Sequence, residues 1–268
     1  MSRSTRDRLK HALAPFRPRL KPGIVVIGAQ KAGTSALYRM LIQHPSIIPP
    51  VTKELNFFNH DKDHAKGPGH YAKLLPLRPV HGKGWITVDA TPGYLHHPQV
   101  AERLHRALPN AIIVSILRDP VLRAYSDWNM FRRFKDNPPY AHLYDARTFE
   151  EAMQAELATA PDNAPYLSRG YYAQQLERYF AVYPKEQVLV FPYPLFKKEP
   201  ASVVSKICSA AGLAPVNWDG SLKNVKANIN PYLNPIPETL REELSAHFKP
   251  HMEALWELLG ERLQLSEG

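Results

Sequence analysis

The run GAQKAGTS, Gly28 to Ser35, brings together two glycines, a lysine and two adjacent hydroxyls. These are residue types that bind an anion. Gly28 and Gly33 permit tight turns and close backbone approach. Lys31 supplies a point charge, Ala32 lies between it and the second glycine in the candidate binding loop, and Thr34 and Ser35 offer hydroxyls. Ile24 to Ile27 in front read as a short buried strand. Behind the loop, Ala36, Leu37, Met40 and Leu41 recur at helical spacing. Strand, glycine loop and helix together aim backbone N–H groups and the positive end of a helix at a negative ligand. The loop is close to a Walker A motif but departs from it, because that motif puts lysine directly after the second glycine. Here Thr34 follows Gly33 and the lysine comes earlier. The cradle suits a phosphate, without the usual lysine for the β/γ-phosphates of a triphosphate.

Two further stretches carry chemistry. In TKELNFF, Glu54 adjoins Leu55, Phe57 and Phe58. A carboxylate against an apolar cluster can have a raised pKa suited to general-base work. The alternative, favoured by the local sequence alone, is a surface Lys53–Glu54 pair. In AIIVSILRDP a buried strand ends at Arg118, Asp119 can cap the next helix and Pro120 suits its first turn. An arginine at the C-terminal end of a parallel strand lies where open α/β sheets bind ligands. Arg118, and Ser126 on the following helix, can both reach one phosphate if that helix starts beside it.

The remaining chain must position these residues. Ile47 and Ile48 read as a short strand and residues 60–84 as a surface excursion. Ile86 to Val88 form a strand that Asp89 ends, before a Thr91-Pro92-Gly93 turn. Helices are expected over 98–108, after a Thr148/Glu151 capping box, over 170–183, over 201–211 up to Gly212, and over 237–248 and 250–263. Tyr172, Leu176, Tyr179 and Phe180 form a core-facing stripe, and 187–193 is another strand. Alternating strands and helices indicate an α/β fold, P-loop-like and three-layered, with a central, mainly parallel sheet flanked by helices. Residues 1–22 read as a basic N-terminal arm and 23–268 as one domain.

The 268 residues are 44% hydrophobic and 22% charged, ordinary values for a globular protein. The lone Cys208 excludes an internal disulfide and fits a reducing compartment. The basic N-terminal stretch lacks the apolar core of a secretory signal or membrane anchor. No run approaches the roughly 20 apolar residues that span a bilayer, so a soluble cytoplasmic protein is expected. The net charge of +9 suggests an anionic ligand. The basic residues are spread too evenly to form a compact nucleic-acid motif, and no dense metal-ligand cluster is evident.

Taken together, these motifs resemble the sulfotransferases that use 3′-phosphoadenosine 5′-phosphosulfate (PAPS), most closely the heparan-sulfate-type branch and its bacterial relatives, from Lys21 onward. The resemblance implies a 5′-phosphosulfate loop at GAQKAGTSAL, with Lys31 in its lysine position and Thr34 in its hydroxyl position. It implies a 3′-phosphate site at Arg118 and Ser126, and Glu54 as catalytic base. VKANINP matches a late loop that closes on the donor, with Lys226 as a phosphate-binding lysine. Ala90 stands where glycan-modifying relatives carry a lysine before the Thr-Pro turn. The implied reaction is in-line sulfuryl transfer to a hydroxyl or amine, a carbohydrate among the candidate acceptors. It leaves adenosine 3′,5′-bisphosphate and needs no metal. The alternatives are a P-loop small-molecule kinase, which lacks its lysine after Gly33, and a basic nucleic-acid-binding protein.

Overall fold

The apolar runs become strands of one sheet. The computed structural model describes residues 18–159, 165–218, 222 and 234–266. Its strands are β1 (Pro22–Gly28), β2 (Thr87–Ala90), β3 (Ile112–Leu117) and β4 (Val188–Pro192). All pair in parallel, in the order β2-β1-β3-β4. Ile24 to Ile27 are buried, as a central parallel strand covered on both faces requires.

The main helices are α1 (Thr34–Leu41), α2 (Val100–Ala107), α3 (Pro120–Arg132), α4 (Phe149–Leu157), α5 (Tyr172–Phe180), α6 (Pro200–Ala210) and α7 (Glu238–Leu259). Crossovers between parallel strands are right-handed. The connection from β1 to β2 and the connection from β3 to β4 run in opposite directions, so they cover opposite faces. The helix contacts agree: α1 packs on α6, while α5 packs on α2 and α7, and α7 on α3. The expected α/β arrangement, a central parallel sheet flanked by helices, is therefore present. Its topology also fixes where a ligand belongs. β1 and β3 are neighbours whose onward connections diverge, and open α/β sheets bind ligands outside the C-terminal ends of such strands. Gly28 ends β1 there, and Arg118 directly follows β3.

Several expectations change. The two closing helices are one, α7, which runs through Pro250. A proline inside a helix loses one backbone hydrogen bond and crowds the preceding turn. Leu240, Leu244, Phe248 and Leu255 bury one continuous face across it, and that packing keeps the helix whole. Asp89 lies within β2 rather than after it. Ile47 forms only an isolated bridge to Ile86. The 60–84 excursion contains short helices at Asp61–His64 and Pro68–Leu74, the second burying Tyr71. At the end of the expected arm, Arg19 bridges to Leu77, Leu20 is buried and β1 already begins at Pro22. The Thr148/Glu151 capping box is formed, and Tyr172, Leu176 and Tyr179 are buried as expected.

Gly170 lies where α3, α7 and the start of α5 meet. A Cβ there would lie 2.7 Å from Phe248 Cε1 and 3.0 Å from Pro120 Cβ. Phe248 is fully buried and has no space to yield. Gly170→Ala is expected to destabilise the protein by about 1–3 kcal/mol, the range for overpacking a core. The measurement is a lowered urea midpoint at unchanged m-value, and an unaltered midpoint would contradict this packing.

Candidate active site

β1 ends in a loop that leaves hydrogen-bond donors available. Gly28 is pressed against the 91–95 turn: a Cβ there would lie 2.8 Å from Leu95 Cβ and 3.2 Å from the Pro92 carbonyl oxygen. The strand pairing continues one residue further, with Ala29 N–H donating to Ile116 O at 2.8 Å. Ala32 N–H then closes a turn onto Ala29 O at 3.1 Å. Lys31 and Gly33 both have left-handed backbone, φ 71° and 84°. Glycine adopts this freely, whereas a residue with a Cβ does so at a cost of about 1–2 kcal/mol. α1 follows at once. Ala36 and Leu37 N–H groups reach back to Gly33 O, at 2.9 and 3.1 Å. The N–H groups of Thr34 and Ser35 have no carbonyl one turn earlier to bond, and no acidic residue lies in the first turn.

Positive charge converges on this loop. Arg118 Nη1 donates to Lys31 O at 3.2 Å, and its guanidinium lies over the Tyr193 ring, 5.1 Å from the centroid. Burial holds the Lys31 ammonium below the usual lysine range. Asp127 opposes that shift, and Arg133, Arg118 and Arg123 add to it. Ser126, half-buried on α3, is seven residues beyond the Asp119 cap, about 10 Å along the helix at 1.5 Å per residue.

A buried network ties α3 to the loop. Arg123 and Asp127, both inaccessible, pair at 2.9 Å, and Arg123 also donates to Tyr166 O. Arg169 Nη1 donates to the same Asp127 oxygen at 3.1 Å and to Gln30 Oε1 at 2.7 Å. A cleft beside the loop is lined by Gln30, Pro92, His96, Arg169 and Gln175, among others. Burial, reinforced by Arg169 and Arg178, pushes His96 down to about 4, so its imidazole is neutral at physiological pH. Sequence reasoning did not select Gln30, Asp127 or Arg169. The i,i+4 spacing of Arg123 and Asp127 was a visible signal, whereas the Arg169 tie exists only through the fold.

Glu54 is placed differently from the apolar setting that its neighbours suggest. Leu55, Phe57 and Phe58 turn inward and are buried, but the Glu54 side chain is 46% exposed and pairs with Lys53 at 2.5 Å. The local alternative, a surface Lys–Glu pair, is the one formed. The turn after Glu54 touches the 91–95 turn, where Thr91 Oγ1 accepts from Leu55 N–H at 3.1 Å. The fold thus gathers Gly28, Lys31, Ala32, Gly33, Thr34, Ser35 and Arg118 at one sheet end. Glu54 stands apart, linked through the turn that also packs on Gly28. Lys226 lies outside the described residues. Among the described residues, no three potential metal ligands cluster and no helix is long and apolar enough to cross a membrane.

The family model for the sulfotransferase domain matches residues 21–230. The chain is 31% identical over 201 residues to the bifunctional heparan sulfate N-deacetylase/N-sulfotransferase 4 of Mus musculus, covering 72% of this chain and 22% of that one. It is 29% identical over 170 residues to the heparan sulfate glucosamine 3-O-sulfotransferase 5 of the same organism, covering 62% and 46%. It therefore spans less than half the length of these two relatives. The crystal structure of a sulfotransferase from Alicyclobacillus acidocaldarius superimposes with a TM-score of 0.70 at 28% identity, over 91% of this chain and 97% of that one.

The depressed Lys31 pKa means that the folded state carries this charge less comfortably than the unfolded chain. The penalty is full below the folded pKa and fades as pH rises through it. Lys31→Met is therefore expected to raise the melting temperature at pH 7, with the gain shrinking towards pH 10. A lowered melting temperature at pH 7 would contradict this reading of the loop.

Proposed function

The chain belongs to the sulfotransferase family, and on that premise we propose that it transfers a sulfuryl group from PAPS to an acceptor hydroxyl or amine, with carbohydrate as the acceptor class. The observation that carries this reading is the gathering of hydrogen-bond donors at the ends of β1 and β3. Lys31, Arg118, the Thr34 and Ser35 hydroxyls and the first amides of α1 converge there without an acidic residue in the helix's first turn. That set fits a ligand with several anionic oxygens. Gly33 lets the loop pack closely on Tyr193, because a Cβ there would lie 3.0 Å from its ring.

When bound, PAPS supplies an activated sulfuryl group and a phosphate leaving group. The protein's task is positioning and charge stabilisation. Thr34, Ser35 and the backbone from Ala32 to Ser35 bind the 5′-phosphate, with Gly28 letting the strand end approach closely. Lys31 balances the negative charge that grows on the leaving oxygen. Arg118 and Ser126 hold the 3′-phosphate, which distinguishes this donor from ATP, and Lys226 serves as a further phosphate-binding lysine. Glu54 accepts the acceptor's proton. Its exposure leaves it open to an incoming acceptor, and Lys53 occupies only one of its two oxygens, Oε1. The carbohydrate assignment draws on the two relatives, whose names specify heparan sulfate.

Thermal unfolding with adenosine 3′,5′-bisphosphate, AMP or ATP–magnesium tests the donor site. The bisphosphate is expected to stabilise by about 2.7 kcal/mol at a hundredfold excess over Kd, and Arg118→Ala to erase its advantage over AMP. Stabilisation by ATP–magnesium alone would overturn the reading. With labelled PAPS and a panel of desulfated glycans and amino sugars, Lys31→Ala and Glu54→Gln are each expected to cost about a hundredfold or more in kcat. Near-parental turnover by Glu54→Gln would remove it as the base.

A further inference from the structure

The turn that carries Glu54 is anchored from outside. Leu55 and Asn56 N–H groups both donate to Thr91 Oγ1, at 3.1 and 3.3 Å. Asn56 has φ +52°, a left-handed conformation uncommon for a residue with a Cβ. Its side-chain amide returns to Glu54 O at 3.4 Å. Thr91 is fully buried, and its hydroxyl has a single proton, which it donates to Asp89 Oδ1 at 2.8 Å. With that proton committed, both lone pairs of the hydroxyl oxygen are available to the two amides.

Asp89 sets that direction. It is fully buried in β2, in register with Val25 of β1. Its Oδ2 accepts the hydroxyls of Tyr71 at 3.0 Å and Tyr94 at 2.9 Å. Burial pushes its carboxyl up to about 6, while the hydroxyl bonds from Thr91, Tyr94 and Tyr71 oppose that shift. At neutral pH it is therefore an acceptor-only carboxylate receiving three O–H donors. Tyr71 lies on the Pro68–Leu74 helix and Tyr94, like Thr91, in the 91–95 turn, so one buried carboxylate ties two segments to β2 beside the Glu54 turn.

We propose that Thr91 is a positioning residue for sulfuryl transfer: oriented by Asp89, its hydroxyl fixes the Leu55–Asn56 turn and thereby sets where the Glu54 carboxylate meets the acceptor. This rests on Glu54 being the base. A misplaced catalytic group costs rate rather than donor affinity, up to about a hundredfold for a displacement near 1 Å.

The test compares Thr91→Val, which keeps the shape and removes the hydroxyl, with Thr91→Ser, which keeps the hydroxyl. Amide hydrogen exchange at Leu55 and Asn56 is expected to accelerate in Thr91→Val and return to the parental rate in Thr91→Ser. The melting shift with adenosine 3′,5′-bisphosphate should be equal in all three proteins, which also reports that the valine variant is folded. With labelled PAPS and N-desulfated heparan sulfate, Thr91→Val is expected to lose about ten- to a hundredfold in kcat with KM for PAPS unchanged. Adding it to Glu54→Gln should cost nothing more. Unchanged exchange in Thr91→Val, failure of serine to restore it, or a loss expressed in KM for PAPS would each overturn the proposal. If Glu54→Gln alone turns over at the parental rate, the base assignment falls by itself. The exchange rates then still decide whether Thr91 holds the turn, and they do so whether or not this glycan is accepted.

Discussion

An anion site made of backbone amides works only if those amides are kept from bonding to each other. That constraint governs the end of β1. The loop closes one turn, Ala32 onto Ala29, with left-handed backbone at Lys31 inside that turn and at Gly33 just before α1 begins. That backbone lets the first N–H groups of the helix emerge at the crevice instead of continuing the strand pairing. Gly28 and Gly33 meet different demands: one accommodates Leu95 and Pro92, the other adopts the left-handed turn beside Tyr193. The same contact of Gly28 with the 91–95 turn brings the Thr91 anchor, and through it the Glu54 segment, to the sheet end where the loop lies.

Gathering Lys31, Arg118 and Arg123 near one point creates mutual repulsion. Asp127 is the counterweight. Buried on α3, it takes Arg123 and Arg169 on a single oxygen and also favours the charged form of Lys31. A buried pair of this kind is poor evidence of net stabilisation, because desolvation offsets much of the attraction. Its role here is geometric. Through Arg169 and Gln30 it ties the loop to the helix that carries Ser126, so the two proposed phosphate sites sit on a common frame.

The frame itself was largely legible in the sequence, because β1, β3 and β4 are apolar runs with clear punctuation and the anion loop has residue types with few other uses. What was not legible depended on contacts between distant segments. Asp89 reads locally as a strand terminator. It stays inside β2 because Tyr71, Tyr94 and Thr91 supply the donors that a buried carboxylate requires. Pro250 reads as a helix boundary, and only the shared apolar face of α7 shows that packing overrides it. Glu54 adjoins an aromatic cluster in sequence, but the left-handed turn at Asn56 separates the two in space. Asp89 and Pro250 are cases in which tertiary contacts outweigh a local rule, whereas the surface Lys53–Glu54 pair is the one that the local sequence favours.

The central claim is that one bisphosphorylated nucleoside is held at both ends by the β1 loop and the β3–α3 junction. A crystal structure with adenosine 3′,5′-bisphosphate tests it most directly. The expected result places the 5′-phosphate within hydrogen-bonding distance of Lys31 and the amides of Thr34 and Ser35, and the 3′-phosphate between Arg118 and Ser126. A nucleotide bound elsewhere, or with its 3′-phosphate in solvent away from Arg118, would contradict the claim.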